Sequence, residues 1–352
     1  MILHIAPIEK FMPSYVAFID THFNSSDHYY IFWGYKKKFL PPKRKQTLVL
    51  IGSISYYLHF LKIFYWCFKA KKIILHGLSS NKFIRFFYFY KGFAKKCYWC
   101  IWGGELYSYK FTKKSLSFKL NEFFKRKAIQ QFGNLVTYIK GDVELAQKWF
   151  GAKGKWHPCL GYTSNIYQPN NNHISKASNS NKTYIMIGNA ASKMCKHLEV
   201  LDKIKQIENQ NIHLFIPLSY GDQKYAKEVQ AYAIQLFGSN CVDCLLDFLP
   251  LNEYLDKISM IDIAIFAHER QQGMGNIINL LGMGKKVYID DSITSWDHLK
   301  SLNLDVYSWH KFDLNKLTEY QAKRNSEIIQ EFFTAQVLMK QWKGIFLHDP
   351  LQ

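Results

Sequence analysis

Short apolar runs alternate with amphipathic stretches twice along this chain of 352 residues, and a polar interval separates the two series. In the first series Ile2–Ala6, Tyr29–Trp33, Thr47–Ile51, Lys72–Leu75, Cys97–Ile101 and Leu135–Ile139 read as strands. The stretches 13–24, 53–68, 80–92, 115–131 and 142–150 between them read as helices. Strands separated by helices imply parallel crossover units, with both faces of the sheet covered. Residues 168–182 are rich in Asn and Ser, which is the composition of a linker.

The alternation then restarts. Strands are expected at Tyr184–Ile187, Ile212–Ile216, Val242–Leu246, Asp262–Phe266 and Lys286–Ile289. Helices are expected at 196–209, 222–237, 251–259 and 275–281, and a final amphipathic helix over about 317–345. The expected organisation is α/β, with Rossmann-like, doubly wound domains at 1–167 and 183–316. The linker lies at 168–182, and the closing segment 317–352 is placed to cross back to the first domain. Two such domains face a central cleft at the carboxyl ends of their strands, where open sheets of this kind bind ligands. Architecture alone does not name a reaction.

Charge separates the two halves. Residues 36–127 hold 22 Lys and Arg against two acids, Glu105 and Glu122, so the net charge of +19 resides in that stretch. Aromatic residues run through it, as in Tyr56-Tyr57-Leu58 to Trp66 and Phe83 to Tyr90. Neither run approaches the roughly 20 apolar residues that a spanning helix needs, and each is broken by Lys or Arg. Basic, aromatic-rich helices suit an anionic membrane surface, where each cation contributes about 1 kcal/mol. Nothing in the stretch resembles a nucleic-acid signature, so no nucleic acid partner is expected. At 48% hydrophobic residues the chain is too apolar for disorder. Seven cysteines and an opening without a basic signal region point to reduced thiols on the cytoplasmic side.

Chemistry concentrates in the loops that follow strands. After the strand ending at Ile187, Gly188-Asn189-Ala190-Ala191-Ser192 lets backbone amides approach a diphosphate, with Asn189 and Ser192 as further donors. After Phe266 comes His268-Glu269-Arg270-Gln271-Gln272-Gly273-Met274-Gly275-Asn276. Arg270 is suited to bidentate phosphate binding, and Gly273 and Gly275 open the next helix toward the same anion. Gln271, Gln272 and Asn276 can read sugar or ribose hydroxyls, and Tyr220 can line a nucleobase pocket. In the first half, Trp102-Gly103-Gly104-Glu105-Leu106-Tyr107 follows a strand, and Gly103-Gly104 permits a sharp turn. Glu105 at such a strand end is placed to accept a hydroxyl proton, with His76 as the alternative base. Cys97/Cys100 and Cys241/Cys244 lie in or beside strands of different domains, so no metal site is read from them. The sequence has no Asp-x-Asp pair, so no metal or other cofactor is expected, and Arg270 with the helix dipoles would carry the diphosphate charge.

These motifs resemble the TDP-N-acetylfucosamine:lipid II N-acetylfucosaminyltransferase family of enterobacterial common antigen synthesis. The resemblance rests on Ile101 to Tyr107, Ile187-Gly188-Asn189, Ile216 to Tyr220, and Phe266 to Gly275 with its Arg270-Gln271-Gln272-Gly273 core. It spans roughly 70–345, in the family's order and spacing. It implies a GT-B fold, a TDP- or UDP-linked deoxyamino sugar donor and a polyprenyl-diphosphate-linked saccharide acceptor. The implied location is peripheral, on the cytoplasmic face of the bacterial inner membrane. Trp102, Gly103, Gly104 and Tyr107 would then serve the acceptor side, and the loops at Gly188 and Arg270 the donor. The family often has Asp where Glu105 stands and His where Cys100 stands, and the region before residue 70 matches poorly. An O-antigen or capsule repeat is therefore an alternative product. A sugar-nucleotide epimerase of the same fold and a non-catalytic membrane scaffold are the rival functions.

Overall fold

A computed structural model describes residues 1–35, 39–40, 44–111, 115–169, 182–207 and 211–347. Most of the expected linker, 170–181, lies outside the described residues. The chain divides into two compact units, Met1–Asn165 with Ala335–Gln352, and Ile166–Thr334.

The first unit holds seven strands: β1 Ile2–Pro7, β2 His28–Gly34, β3 Thr47–Ile51, β4 Lys72–His76, β5 Cys97–Cys100, β6 Asn134–Val136 and β7 Lys155–His157. They form one sheet in the order β3-β2-β1-β4-β5-β6-β7. Every neighbouring pair is parallel. Because side chains alternate along a strand, Leu3, Ile5, Ile31, Leu50, Ile73, Leu75 and Trp99 share one face. That face packs beneath helices Gly52–Leu58, Phe60–Lys69, Asn81–Phe89 and Leu116–Ile129 through Tyr56, Ile63, Trp66, Phe87 and Ile129. His4 and Tyr30 take the opposite face, where helices Met12–His22 and Ala335–Leu347 cover them. Tyr15 meets the Trp342 ring edge-on at 5.5 Å, and Lys72 Nζ donates to the Ile345 and Phe346 carbonyls at 2.6 and 2.7 Å.

The second unit has six strands: β8 Thr183–Ile187, β9 Ile212–Pro217, β10 Val242–Leu245, β11 Ile263–Phe266, β12 Lys286–Ile289 and β13 Tyr307–Ser308. Their order is β10-β9-β8-β11-β12-β13, again all parallel. Both sheets therefore wind outward from their first strand in one direction and then in the other. The reversal falls between β1 and β4 in one unit and between β8 and β11 in the other. In doubly wound sheets that reversal opens a crevice beyond the strands' carboxyl ends.

Several elements differ from the sequence expectation. Strands β7 and β13 and helices Gly103–Phe111 and Thr294–Ser301 were not expected. The helix expected over 53–68 breaks at His59, and the one over 80–92 breaks at Tyr90. The closing stretch is two helices, Glu319–Phe332 in the second unit and Ala335–Leu347 in the first.

Candidate active site

At the reversal of the first sheet, strand order brings three histidines together. His4 lies on β1, His28 opens β2 and His76 ends β4. His4 Nε2 lies 2.9 Å from His28 Nδ1, and His4 Nδ1 lies 3.1 Å from His76 Nε2. His76 Nδ1 reaches the Tyr162 hydroxyl at 2.7 Å, and the Trp102 indole N–H donates to the same oxygen at 2.9 Å. Burial drives the rings toward neutrality, taking His76 down to about 3 and His28 to about 4, and His4 well below its ordinary value. A neutral imidazole offers one donor and one acceptor, so the bonds run the same way throughout, either from Tyr162 toward His28 or from His28 toward Tyr162. Gly77 permits the approach of Trp102: its φ is +73°, and a Cβ there would stand 2.9 Å from the indole.

Glu105 is the third residue of helix Gly103–Phe111, and it is buried. Its Oε1 accepts from the Trp102 backbone N–H at 2.6 Å and from the Trp99 indole at 3.3 Å. A glutamate three positions in that reaches back to the preceding amide is the returning arm of a capping box, so this carboxylate helps to start the helix. Burial pushes its carboxyl up to about 7 against the pull of those donors. Lys125 does not pair with the carboxylate; its Nζ donates to the Glu105 carbonyl at 2.6 Å and to Ser108 Oγ at 3.0 Å. The left-handed glycine at this site is Gly77, whereas Gly103 and Gly104 are the opening residues of the helix. Tyr107 packs in the hydrophobic core, its ring edge-on to Trp149 at 5.4 Å.

At the reversal of the second sheet, the loops after β8 and β11 come together. Gln272 Nε2 donates to Asn189 Oδ1 at 3.1 Å and reaches Cys195 Sγ at 3.6 Å. Gly273 adopts φ +70°, and a Cβ there would lie 3.2 Å from both Asn189 Cγ and His268 Cε1. Gly188, at φ +66°, leaves no room for a Cβ, which would lie 2.7 Å from His197 Nε2. His268 is fully buried, yet among the described residues neither ring nitrogen makes a hydrogen bond of full geometry, the Gln272 backbone being the polar group beside the ring. His197 Nε2 and Gln272 Oε1 are likewise buried and unpartnered. Burial, with the nearby charges of Arg270 and His197, takes His268 down to about 3. Unpartnered buried polar atoms cost roughly 1–3 kcal/mol each, and three residues of this one cluster carry them. No side chain caps helix Met274–Gly282, whose amino end follows Gly273 directly.

The remaining candidates have defined places. Ser192 Oγ accepts from the Met194 amide and shapes the turn Lys193–Cys195. Tyr220 is half exposed; its carbonyl accepts from the Ala191 amide at 2.6 Å, tying the β9 loop to the β8 loop. Arg270 and Gln271 are partly exposed beside the cluster, and Asn276 engages the Tyr254 hydroxyl. The Gly275 carbonyl accepts from Asn279 Nδ2 at 2.8 Å. His197, Cys195 and Tyr162 were missed by the sequence reading, as were His4 and His28. His268 stood inside the motif that was read but was not selected from it. One group of side chains with ligand spacing exists among the described residues: Asp290, Asp291 and His310, their ligand atoms within 4.8 Å of one another. Asp290 is already occupied, accepting from Ser292 N and Oγ and from the Trp309 indole.

A family model described as 4-alpha-L-fucosyltransferase, glycosyl transferase group 56, matches residues 68–347. Among solved structures, Anabaena HepE in complex with UDP-glucose superposes with a TM-score of 0.68 at 12% identity, covering 98% of this chain and 99% of that one. WaaG, a glycosyltransferase of lipopolysaccharide biosynthesis, gives a TM-score of 0.59 at 10% identity over 99% and 96%. The lipopolysaccharide outer core galactosyltransferase WaaB gives 0.62 at 14% identity over 98% and 99%. At such identities the likeness establishes the fold, which is GT-B.

Proposed function

We propose a specific reaction for this glycosyltransferase, which belongs to the 4-alpha-L-fucosyltransferase family, glycosyl transferase group 56. It moves a deoxyamino hexose such as N-acetylfucosamine from a TDP- or UDP-linked donor to a polyprenyl-diphosphate-linked saccharide. The product is a surface polysaccharide precursor such as enterobacterial common antigen or O-antigen, and the enzyme works as a peripheral protein on the cytoplasmic face of the inner membrane.

The observation that carries the donor assignment is the unsatisfied cluster at the reversal of the second sheet. His268, His197 and Gln272 keep buried polar atoms without partners, and the uncapped helix amino end and Arg270 adjoin them. A nucleoside diphosphate is the ligand class that uses all of these features. The helix amides and the guanidinium stabilise its charge as the glycosidic bond breaks, and the amide and imidazoles meet hydroxyls. HepE, of the same fold, has been captured with UDP and with UDP-glucose, which supports this class of donor. Arg270 and the backbone amides replace a divalent ion in this account, so transfer proceeds without metal.

Glu105 takes the proton from the acceptor hydroxyl. Burial holds its carboxyl near neutral, where a carboxylate base is most effective. His76, with both ring nitrogens engaged, instead fixes Tyr162 and through it Trp102 on the acceptor side. The test is direct: purified protein is incubated in EDTA with TDP- or UDP-linked deoxyamino sugars and a polyprenyl-diphosphate disaccharide. Product from the wild type and at least about 100-fold less from Glu105→Gln are expected. Full activity in Glu105→Gln would remove Glu105 as base, because glutamine still completes the helix cap.

A further inference from the structure

Helix Phe60–Lys69 is apolar on two sides. Ile63, Trp66 and Cys67 enter the core of the first unit, while Leu61, Tyr65 and Phe68 point outward with Leu61 82% exposed. The preceding helix Gly52–Leu58 behaves alike: Tyr56 is buried, and Ile54, Tyr57 and Leu58 are exposed, Leu58 at 77%. The outward positions 61, 65 and 68 follow helical spacing, so they share one face. A surface helix ordinarily has one apolar stripe, and a second one marks a surface that something covers.

The face extends onto neighbouring helices of the same layer. Phe64 meets Tyr90 edge-on at 5.3 Å, and the Tyr88 and Phe124 rings meet at 5.0 Å. Phe89, Leu116, Leu120 and Phe123 are exposed on those helices. Cations edge the patch. Lys62 lies over the Trp66 ring at 4.9 Å, Lys69 over Tyr65 at 5.9 Å, and Lys82 over Tyr57 at 4.9 Å. Each ammonium thus sits over an aromatic ring of these helices, and Lys82 Nζ also donates to the Ser53 carbonyl at 2.6 Å.

We infer that this helical face seats on an anionic lipid surface. Leu58, Leu61, Tyr65 and Phe68 enter the interface, and Lys62, Lys69 and Lys82 meet the headgroups. The inference deepens the peripheral location proposed above by naming the face that docks. Charge decides among occupants. Residues 36–127 carry 22 cations against two acids, so a second copy of the same face would bring like charges together. A single-stranded nucleic acid would use the exposed rings Tyr57, Tyr65 and Phe68, but the three most exposed apolar side chains of these two helices, Ile54, Leu58 and Leu61, are aliphatic and are buried only by an apolar phase. Among the described residues no helix is long and apolar enough to cross a membrane. Helix Phe60–Lys69 has ten residues, so it lies in the interface rather than through it.

The test is flotation of the full chain with vesicles of phosphatidylglycerol and phosphatidylethanolamine, and with vesicles of phosphatidylcholine. The wild type is expected to float with the anionic vesicles at least about tenfold more strongly than with the zwitterionic ones. The variant Leu58→Asp/Leu61→Asp/Phe68→Asp loses at least about tenfold of that binding. Its thermal unfolding and its response to TDP or UDP stay unchanged, since these side chains are exposed and distant in sequence from the donor loops. Lys62→Glu/Lys69→Glu weakens binding and flattens its salt dependence. The inference is overturned if the wild type does not float, or if the triple variant floats as the wild type does. It is also overturned if the triple change abolishes a dimer seen by sedimentation, or binding to an oligonucleotide, while vesicle binding persists. A wild type that does not float yet still responds to TDP or UDP removes the docking face alone. A missing nucleotide response with flotation intact removes the donor assignment and leaves the face standing.

Discussion

The two units wind their sheets in the same way, yet the histidines at their reversals are treated oppositely. In the first unit His4 and His76 have partners on both ring nitrogens, within a chain of bonds from His28 to Trp102. In the second, among the described residues, His268 has no hydrogen bond of full geometry on either nitrogen and His197 Nε2 has none. Burial makes the rings neutral in both places. On the proposed function the difference is in use: one reversal fixes side chains through its histidine network, while the other would offer its polar atoms to the donor. A fold that doubles a motif can thus give one copy to positioning and the other to binding.

The largest effect expected from separating these roles is catalytic. Glu105→Gln lowers kcat by about 100- to 10,000-fold while donor affinity stays unchanged. With the Glu105 carboxyl near 7, the wild-type rate falls about tenfold per pH unit below that value, and a pH profile of kcat/KM checks it.

Next comes stability. His76→Leu leaves Tyr162 and His4 with unpaired buried groups and costs about 2 kcal/mol or more, whereas His268→Leu removes no bond and is near neutral. Urea unfolding of both variants measures this directly, and equal losses would break the comparison. The acid response is instead shared by the two, since both rings stay neutral to about 3. The folded His76 stays neutral to about 3, so below about pH 6.5 the unfolded chain takes up a proton that the native state refuses. Stability therefore falls as pH drops from about 6.5 toward 3, and His76→Leu makes that slope shallower by up to about 1.4 kcal/mol per pH unit.

Binding effects are smaller. Arg270→Ala weakens nucleotide binding by about 10- to 100-fold, the value of a charge-assisted pair, as calorimetry would show. Ser192→Ala, which loses only the cap of the turn Lys193–Cys195, costs about 1 kcal/mol or less of stability in urea unfolding.

The sequence made the alternation of strands and helices legible because parallel strands buried on both faces are nearly continuous apolar runs, as in β1, β4 and β11. It hid the short edge strands β7 and β13, where Lys155 and Ser308 supply no apolar signal. Helix Gly103–Phe111 was hidden by its two opening glycines, poor helix formers that Glu105 offsets by capping. The break between Glu319–Phe332 and Ala335–Leu347 has neither Gly nor Pro, and the amphipathic pattern runs straight through it.

The proposed donor loops stand out in the sequence because their chemistry is local: Gly188, Asn189, Gln272 and Gly273 each lie in a loop that follows a strand. The histidine network does not, since His4, His28 and His76 lie far apart in sequence and meet only through the order β2-β1-β4. Nor does a sequence reveal which nitrogen lacks a partner, so His268 passed as one residue of a polar loop.

The central claim is that the unsatisfied cluster of the second unit is a metal-free nucleoside diphosphate site. Its most direct test is a thermal-shift series of the wild type and Arg270→Ala against TDP, UDP, GDP and CMP, in EDTA and then in magnesium. The wild type is expected to show a rise with TDP or UDP, equal in both buffers and much reduced in Arg270→Ala. At 100 times the dissociation constant that rise reflects about 2.7 kcal/mol of stabilisation. No rise with any nucleotide, a rise only in magnesium, or an undiminished rise in Arg270→Ala would contradict it.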